Sequence, residues 1–225
     1  FKYLMQKNLV AVVTIRKNSQ RVKNKNFKPF AGKNLLKHKI EVLKKLKTLD
    51  DIIINTDSDE AIQTAKEYGV SHTKRDEYFA SSECSNSEFW EHIAEKTNSK
   101  FILFTHCTNP LIKHETYENI ISIFKKNKNQ NDSINTVNEI RDFLYLKNKP
   151  LNFDPKNAPG SQNLPDIVKL NFAVNILSTE LMFKKKSLVG DNAYFYKLDS
   201  IEGYDINTEF EFEYAEYLFK KYFKL

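Results

Sequence analysis

Residues 9–15, LVAVVTI, and the basic loop that follows them decide the fold class and point to a site. The run is apolar without alternation, which predicts a strand covered on both faces. Residues 16–36, RKNSQRVKNKNFKPFAGKNLL, carry two arginines, five lysines, no acidic residue and one glycine, Gly32. Two interpretations are open at this point: a solvated basic loop, or a binding site for a polyanion such as a nucleoside triphosphate.

Four further segments extend the pattern along the chain. Apolar runs predict buried strands at residues 51–56, 100–107, 132–137 and 169–177. Helical periodicity separates the first three strands and returns near the end, at residues 35–46, 59–68, 87–97 and 208–223. Asp57 and Ser58 are candidate N-caps for the second of these helices.

The alternation of strands and helices predicts an α/β fold: a Rossmann-like, mostly parallel sheet with helices on both faces. Ligands of such folds bind at the carboxyl ends of the strands, where the loops emerge. The basic loop leaves the carboxyl end of the first predicted strand. Its position therefore favours the binding-site interpretation.

The length of 225 residues predicts a single domain, at residues 5–225, because a chain of this size can bury a full core. The first four residues, FKYL, are left out of this prediction. Residues 148–168 hold four of the six prolines and interrupt the strand–helix rhythm. They predict an inserted arm or lid within the domain, at about residues 140–170.

Composition and charge exclude several classes of protein. No apolar run approaches the roughly 20 residues that span a bilayer, and the start carries no signal-peptide pattern. Cys84 and Cys107 are too few for a disulfide scaffold, so we expect a reducing, cytoplasmic environment. The net charge of +6 is modest and dispersed, and no RNA- or DNA-binding motif is present. We therefore expect neither a membrane nor a nucleic-acid partner.

The basic loop has the chemistry of a phosphate site. Arg16 and Arg21 offer planar donor forks, Lys25 offers a point charge, and Ser19 adds a hydroxyl donor. Neither the Walker pattern GxxxxGK[ST] nor the dinucleotide fingerprint GxGxxG occurs in the loop.

These residues carry a resemblance to a known family. The pattern R-x-x-S-x-R-[hydrophobic]-x-x-K-N, starting at Arg16, followed by FKPFAGKNLL, resembles the first motif of the acylneuraminate cytidylyltransferases. Later segments resemble further motifs of that family in the same order: NTDSDE (55–60), RDEYFA (75–80), THCTNPLI (105–112), SQNLPDIVKLNFAVNI (161–176) and SIEGYDINTEFEFEYAE (200–216). The ordered set spans nearly the whole chain.

The resemblance implies a Rossmann-like enzyme, usually a homodimer, whose protruding arm contacts the neighbouring subunit. It implies CTP and a divalent cation such as Mg²⁺, with a hydroxyl of a 2-keto sugar acid attacking the α-phosphate and pyrophosphate leaving. Such transfer depends mainly on positioning and on neutralising charge.

Carried over position by position, the resemblance assigns four sets of residues. The catalytic set is Arg16, Lys25 and Asp205, and the nucleotide set is Arg16, Ser19, Arg21, Lys25, Asn26, Asp57 and Arg75. The acceptor set is His106, Gln162 and Asn171, and the metal set is Asp205 and Asn207.

The sequence also departs from the family pattern. Lys17 and Asn18 stand where glycines are usual, and His106 replaces a glutamine that contacts the sugar acid. Phe172 replaces a small glycine, and Asn207 replaces the second metal-binding aspartate. The last three changes predict an altered acceptor pocket and a metal site with one less negative charge.

Alternatives to these roles remain open at this stage. Asp205 could cap the terminal helix, and Asp57 could be an ordinary helix cap. His106 and Cys107 are adjacent on a strand and so point to opposite faces, which argues against a thiol–imidazole dyad. The acceptor could be a different acid or a phosphorylated molecule, or the protein could bind a nucleotide or nucleic acid without catalysis.

Overall fold

The computed structural model describes residues 6–17 and 22–223. Its strands are β1 (Lys7–Ile15), β2 (Asp51–Thr56), β3 (Ser71–Lys74), β4 (Ser99–Thr105), β5 (Ser133–Ile140), β6 (Tyr145–Leu146), β7 (Lys149–Pro150), β8 (Ile167–Ser178) and β9 (Ala193–Lys197). Its helices are α1 (Leu35–Lys44), α2 (Asp59–Glu67), α3 (Glu77–Ala80), α4 (Asn86–Lys96), α5 (His114–Asn127), α6 (Thr179–Lys185) and α7 (Glu209–Tyr222).

One seven-stranded sheet has the order β3-β2-β1-β4-β8-β5-β9. β1 pairs in parallel with β2 and β4, β2 with β3, and β5 with β9, whereas β8 runs antiparallel to β4 and β5. The predicted α/β, Rossmann-like, mostly parallel sheet is confirmed. Its parallel half places the ends of β1, β2 and β4 at one edge, from which the basic loop emerges.

The residues of β1 divide between two cores, which explains why its sequence does not alternate. Ala11 and Val13 join one cluster with α1, α2, α5 and α7, while Val10 and Val12 join a second cluster with α4 and α6. Helices thus cover both faces of the sheet. A strand buried on both sides must be apolar at every position.

Side-chain caps set the starts of the helices that border the site. Ser58 accepts a hydrogen bond from the Ala61 amide at the start of α2, so Ser58 rather than Asp57 is the cap. Helix α7 begins with a capping box in which Thr208 and Glu211 satisfy each other's backbone amides. Asp205 is therefore not the cap of the terminal helix.

Outside the proline-rich segment, five elements were not assigned from the sequence: β3, α3, α5, α6 and β9. β3 and β9 lie at the two edges of the sheet and are largely exposed. β3, SHTK, lacks the apolar run by which the inner strands were found, whereas β9, AYFYK, carries an aromatic run that the sequence analysis missed. None of the helices within residues 6–17 and 22–223 is long and apolar enough to cross a membrane.

The proline-rich segment between β5 and β8 forms a small hairpin followed by two single turns of 3₁₀ helix. β6 and β7 pair across Lys147 and Asn148, both of which have positive φ, as a tight hairpin turn requires. Asn152 braces the hairpin by accepting from the Leu144 amide and donating to the carbonyl oxygen of Asp142. The dimer contact expected of this arm stays a prediction.

Candidate active site

A cavity of about 600 Å³ opens at the carboxyl ends of β1 and β4. It brings together eight of the predicted site residues: Arg16, Lys25, Asn26, Arg75, His106, Asn171, Asp205 and Asn207. These residues come from parts of the chain almost 200 positions apart, and the sheet collects them because its parallel strands end at one edge.

Lys25 joins the basic loop to the acidic C-terminal segment. Its side chain is only 8% exposed, and its Nζ donates a 2.8 Å hydrogen bond to the carbonyl oxygen of Ile206. The flanking residues, Asp205 and Asn207, both line the cavity. The ammonium is thus bonded to the backbone between Asp205, the one carboxylate among the described lining residues, and Asn207.

Arg16 and Asp57 hold the start of the basic loop. Arg16 Nη1 donates to the carbonyl oxygen of Ala80 at 3.3 Å, and the Lys17 amide donates to Asp57 Oδ1 at 2.8 Å. Asp57 lies outside the cavity lining. Its carboxylate anchors this loop to the end of β2 by accepting the bond from Lys17. Ser19 and Arg21 lie outside the described residues.

Arg75 is the most deeply buried cation of the cavity, at 3% exposure. Its Nε donates to Asn55 Oδ1 at 2.7 Å and its Nη2 to the Asn55 carbonyl oxygen at 2.9 Å, while the guanidinium lies 4.4 Å from the ring centroid of Phe89. Burial lowers the pKa of Arg75 to about 10, an effect that the nearby Asp57 partly offsets. The side chain therefore remains a cation at neutral pH in a fixed orientation.

Asp205 and Asn207 form the acidic end of the cavity. Asn207 Nδ2 donates to Asp205 Oδ2 at 2.8 Å, and the cap of α7 is made by Thr208, so Asp205 has no duty in that helix. The described residues contain no group of three His, Cys, Asp or Glu side chains arranged to hold a metal. Mg²⁺ is commonly held by one or two carboxylates together with substrate phosphates and water, and this pair fits such a shared site.

His106 and Cys107 follow the end of β4, and neither is charged at neutral pH. Burial, together with the positive charges of Lys39, Lys25 and Arg75, lowers the pKa of His106 to about 4. Burial raises the pKa of Cys107 to about 12. A thiolate–imidazolium pair does not form under these conditions, as the strand geometry also predicts.

Lys39 is a buried cation behind the cavity that the sequence analysis missed. It is 2% exposed, and its Nζ donates to the Asn109 carbonyl oxygen at 3.0 Å and to the Tyr117 hydroxyl at 2.7 Å. These bonds fix the segment after β4 that carries His106. The sequence pattern that could have indicated this buried lysine is its spacing: Lys39 follows Leu35 by four residues and so lies on the apolar face of α1.

Asn171 is held inside the protein by the neighbouring strand β5 and by its own strand β8, and it does not offer both ends of its amide to a ligand. Its Oδ1 accepts from the Thr136 hydroxyl at 2.6 Å and from the Ala173 amide at 3.1 Å, and its Nδ2 donates to Asn138 Oδ1 at 2.9 Å. The pairing of β8 with β5 shifts register here, and Phe172 has a φ of +56°. Asn171 therefore shapes the bulge that aims Phe172.

Gln162 lies away from the cavity. It is exposed within the 3₁₀ turn Ser161–Asn163 and is not among the residues that line the site. Its predicted contact with the acceptor has no support from its position in this structure. Conversely, the cavity includes aromatic residues that received no role from the sequence: Phe79, Phe89, Trp90 and Phe104.

Solved structures share this architecture. CMP:2-keto-3-deoxy-manno-octonic acid synthetase complexed with CTP aligns with a TM-score of 0.71 at 13% identity, covering 95% of this chain and 99% of that one. Fold and cavity together define an α/β protein with a cationic site at the carboxyl ends of its parallel strands.

The chain belongs to the cytidylyltransferase family, whose model matches residues 10–223. It is 23% identical to the post-translational flagellin modification protein B of Campylobacter coli, covering 95% of both chains. It is also 23% identical to the N-acylneuraminate cytidylyltransferase of Escherichia coli, covering 94% of this chain and 52% of that protein. These matches confirm the resemblance that the ordered motifs indicated, and with it the class of CTP-dependent nucleotidyltransferases.

Proposed function

We propose that this protein transfers CMP from CTP to a hydroxyl of a sialic-acid-like nonulosonic acid, with release of pyrophosphate, for surface glycan biosynthesis. The observation that carries the proposal is the hydrogen bond from Lys25 to the Ile206 carbonyl oxygen, which joins the cationic loop to the segment that carries Asp205 at one cavity. A triphosphate and a metal ion need both kinds of group close together. Among the relatives and solved structures named above, the N-acylneuraminate cytidylyltransferase and the CMP:2-keto-3-deoxy-manno-octonic acid synthetase are named for this kind of chemistry.

The reaction is a displacement at the α-phosphorus. The acceptor hydroxyl oxygen forms a bond to that phosphorus, the bond to the bridging oxygen of pyrophosphate breaks, and the electron pair leaves with pyrophosphate. The proton of the hydroxyl passes to water. Arg16 and Lys25 would neutralise the charge that accumulates on the phosphates, and Arg75 with Asn26 would hold the nucleotide in line. Because Lys25 and Arg75 are already fixed by hydrogen bonds, little reorganisation is needed when the charge develops.

A divalent cation such as Mg²⁺ is part of the proposal. Asp205, with the amide oxygen of Asn207, would hold it together with phosphate oxygens and water. When bound, the ion would withdraw charge from the phosphates of CTP. The hydrogen bond between the two side chains keeps both at the cavity wall and close to Lys25.

We further propose that the protein is a cytoplasmic homodimer. The arm exposes apolar side chains that a partner could cover, namely Phe143, Tyr145, Leu146 and Leu151. Phe153 packs edge-on against Phe143 and Tyr145, so this exposed surface is ordered. The free thiols Cys84 and Cys107 are consistent with a reducing compartment.

The test is pyrophosphate release from CTP and Mg²⁺ with a panel of sialic, legionaminic, pseudaminic and deoxyoctulosonic acids. Release with one acid, abolished by Asp205→Ala, supports the proposal and names the acceptor. If no acid of the panel releases pyrophosphate but CTP still binds in calorimetry, the second candidate is favoured: a cytidylyltransferase that acts on a different acid or on a phosphorylated acceptor. The replacements at His106 and Phe172 motivate this second candidate. Silence without CTP binding, and binding of single-stranded RNA instead, would sink the proposal.

A further inference from the structure

We infer that Trp90 and Phe172 form an apolar wall of the acceptor part of the cavity, and that this wall selects a sugar acid by its methyl or acyl substituents. The inference rests on the proposed function, because it names the class of acceptor for the same site. Nothing in the basic loop or in the acidic segment requires such a wall, so it is a separate feature of the cavity.

The cavity has two chemically different regions. Arg16, Lys25 and Asp205 supply charge in one of them. In the other, aromatic rings follow one another: Phe104 lies 5.1 Å from His106, His106 lies 6.2 Å from Phe172, and Phe172 lies 6.3 Å from Trp90, measured between ring centroids. Because His106 is uncharged, the row of rings itself carries no formal charge, and the nearest cations, Lys25 and Arg75 among them, act on His106 from beside the row.

Trp90 and Phe172 are placed by the protein interior. Both pack against the core that contains Val12, Ile93 and Phe104, yet both remain only partly buried and line the cavity. Large aromatic faces that border a cavity bind apolar groups and leave hydroxyl groups without hydrogen-bond partners. The region therefore favours a substituent that has no hydrogen bond to lose.

The backbone of Phe172 adopts a conformation that is energetically unfavourable for a residue with a bulky side chain. Its φ of +56° is a conformation that suits glycine and is unfavourable for a bulky side chain. The bulge is fixed by Asn171, whose Oδ1 accepts from the Ala173 amide, and by the Thr136 hydroxyl, which accepts from the Val174 amide. Strain held in place by its surroundings at a binding site points to a use for the ring itself.

Two substitutions separate the ring from the backbone that carries it. Phe172→Gly removes the wall and relaxes the backbone, and Phe172→Asn replaces the wall with a polar group that tolerates positive φ. Both variants are expected to fold and to bind CTP with unchanged affinity, because Phe172 makes no contact with Lys25 or Arg75 in the hydrogen-bond network.

The experiment compares two 2-keto sugar acids of the same carbon skeleton, one bearing a methyl or acetamido group where the other bears a hydroxyl. For the unmodified protein we expect kcat/KM for pyrophosphate release to favour the apolar acid by about 10- to 100-fold. Phe172→Gly should reduce that ratio to about threefold or less, and Phe172→Asn should bring it to one or below. An unchanged ratio in both variants, or no preference in the unmodified protein, overturns the inference.

A second readout does not depend on turnover. Trp90 is the single tryptophan of the chain, so its fluorescence reports the cavity wall alone. With an unreactive CTP analogue bound, the apolar acid should change Trp90 emission at lower concentration than the hydroxylated acid. Equal titrations overturn the inference while leaving the proposed function intact. Absence of both pyrophosphate release and any fluorescence response with every acid overturns the proposed function as well.

Discussion

Lys25 Nζ lies 2.8 Å from the carbonyl oxygen of Ile206, so two residues 181 positions apart are joined at the centre of the site. Lys25 is the only buried lysine in the part of the basic loop that the structure describes. The bond attaches it to the segment whose neighbouring residues, Asp205 and Asn207, line the cavity. The site is therefore assembled from both ends of the chain together with Arg75, His106 and Asn171 from its middle. Its chemistry depends on the sheet bringing those ends together.

The first prediction concerns Lys25. Lys25→Ala removes a fixed cation from the phosphates and should lower kcat/KM for pyrophosphate release by about 10²- to 10³-fold. Lys28→Ala is the matched control, because Lys28 belongs to the same loop but pairs with Glu209 at the surface. Exposed pairs contribute about 0–1 kcal/mol, so this control should retain nearly full activity. Comparable losses in the two variants would refute a specific role for Lys25.

The second prediction concerns the metal. Asp205→Asn should raise the Mg²⁺ concentration for half-maximal activity by at least about tenfold, because the site would lose its carboxylate. Chelation of divalent cations should stop pyrophosphate release by the unmodified protein. The free energy of unfolding should change little, since α7 is capped by Thr208 and Glu211.

Thr208→Ala is the control for the metal experiment. It removes the cap of α7 and should cost about 1 kcal/mol of stability. The dependence on Mg²⁺ should stay as in the unmodified protein. If Asp205→Asn is instead the more destabilising change and leaves the metal dependence intact, Asp205 is a structural residue.

The third prediction concerns Arg75. Arg75→Lys keeps a positive charge but cannot donate from two nitrogens to Asn55 while lying flat on Phe89. CTP affinity measured by calorimetry should fall by about tenfold, which corresponds to the ~1.4 kcal/mol expected from losing one charge-assisted contact. Lys74→Ala, at the exposed neighbouring position, should leave CTP affinity unchanged. Full CTP affinity in Arg75→Lys would show that the planar guanidinium is dispensable.

The fourth prediction concerns pH. The native pKa of His106 is lowered to about 4, chiefly by burial, whereas the unfolded chain has the ordinary value of 6.5. As the pH falls below 6.5, the histidine is protonated in the unfolded state but not in the native state. The free energy of unfolding therefore decreases between pH 6.5 and 4, and above pH 6.5 this residue has no effect on it. The loss is up to about 3 kcal/mol, since one pKa unit corresponds to about 1.4 kcal/mol.

His106→Gln should therefore flatten the decline of unfolding free energy with acid, as measured by urea denaturation across this pH range. Glutamine has no proton to gain, so the difference between the variant and the unmodified protein isolates His106 from other groups. His72→Gln, at an exposed position on β3, is the matched control for replacing a histidine. A profile that His106→Gln does not alter would mean that the ring titrates normally in the native protein.

The sequence was sufficient to predict the fold class and the inner strands. LVAVVTI predicts a strand buried on both faces because a parallel sheet between two helix layers requires apolar residues at every position. The same argument applies to β2 and β4. The edge strand β3 was missed because its exposed sequence, SHTK, is polar, whereas β9 was missed although its sequence, AYFYK, is rich in aromatic residues.

The candidate site was partly predictable for a similar reason. Loop charge and motif order indicated Lys25, Arg75 and Asp205, and the cavity contains all three. No pattern in the sequence could show that Asp57 anchors the loop or that Gln162 lies outside the lining. Those outcomes depend on the path of the chain between elements, which is set by contacts over 40 or more positions.

By itself, then, the sequence determined the layered α/β class and the charge of the site, because apolar periodicity and local charge are properties of short segments. Only the tertiary structure decided which side chains share the cavity. Burial made His106 neutral, Asn55 fixed Arg75, and the bulge that Thr136 holds through Asn171 and Val174 turned Phe172 toward Trp90. Each of these depends on neighbours that are distant in sequence, and pKa values, rotamers and backbone strain are set by such neighbours.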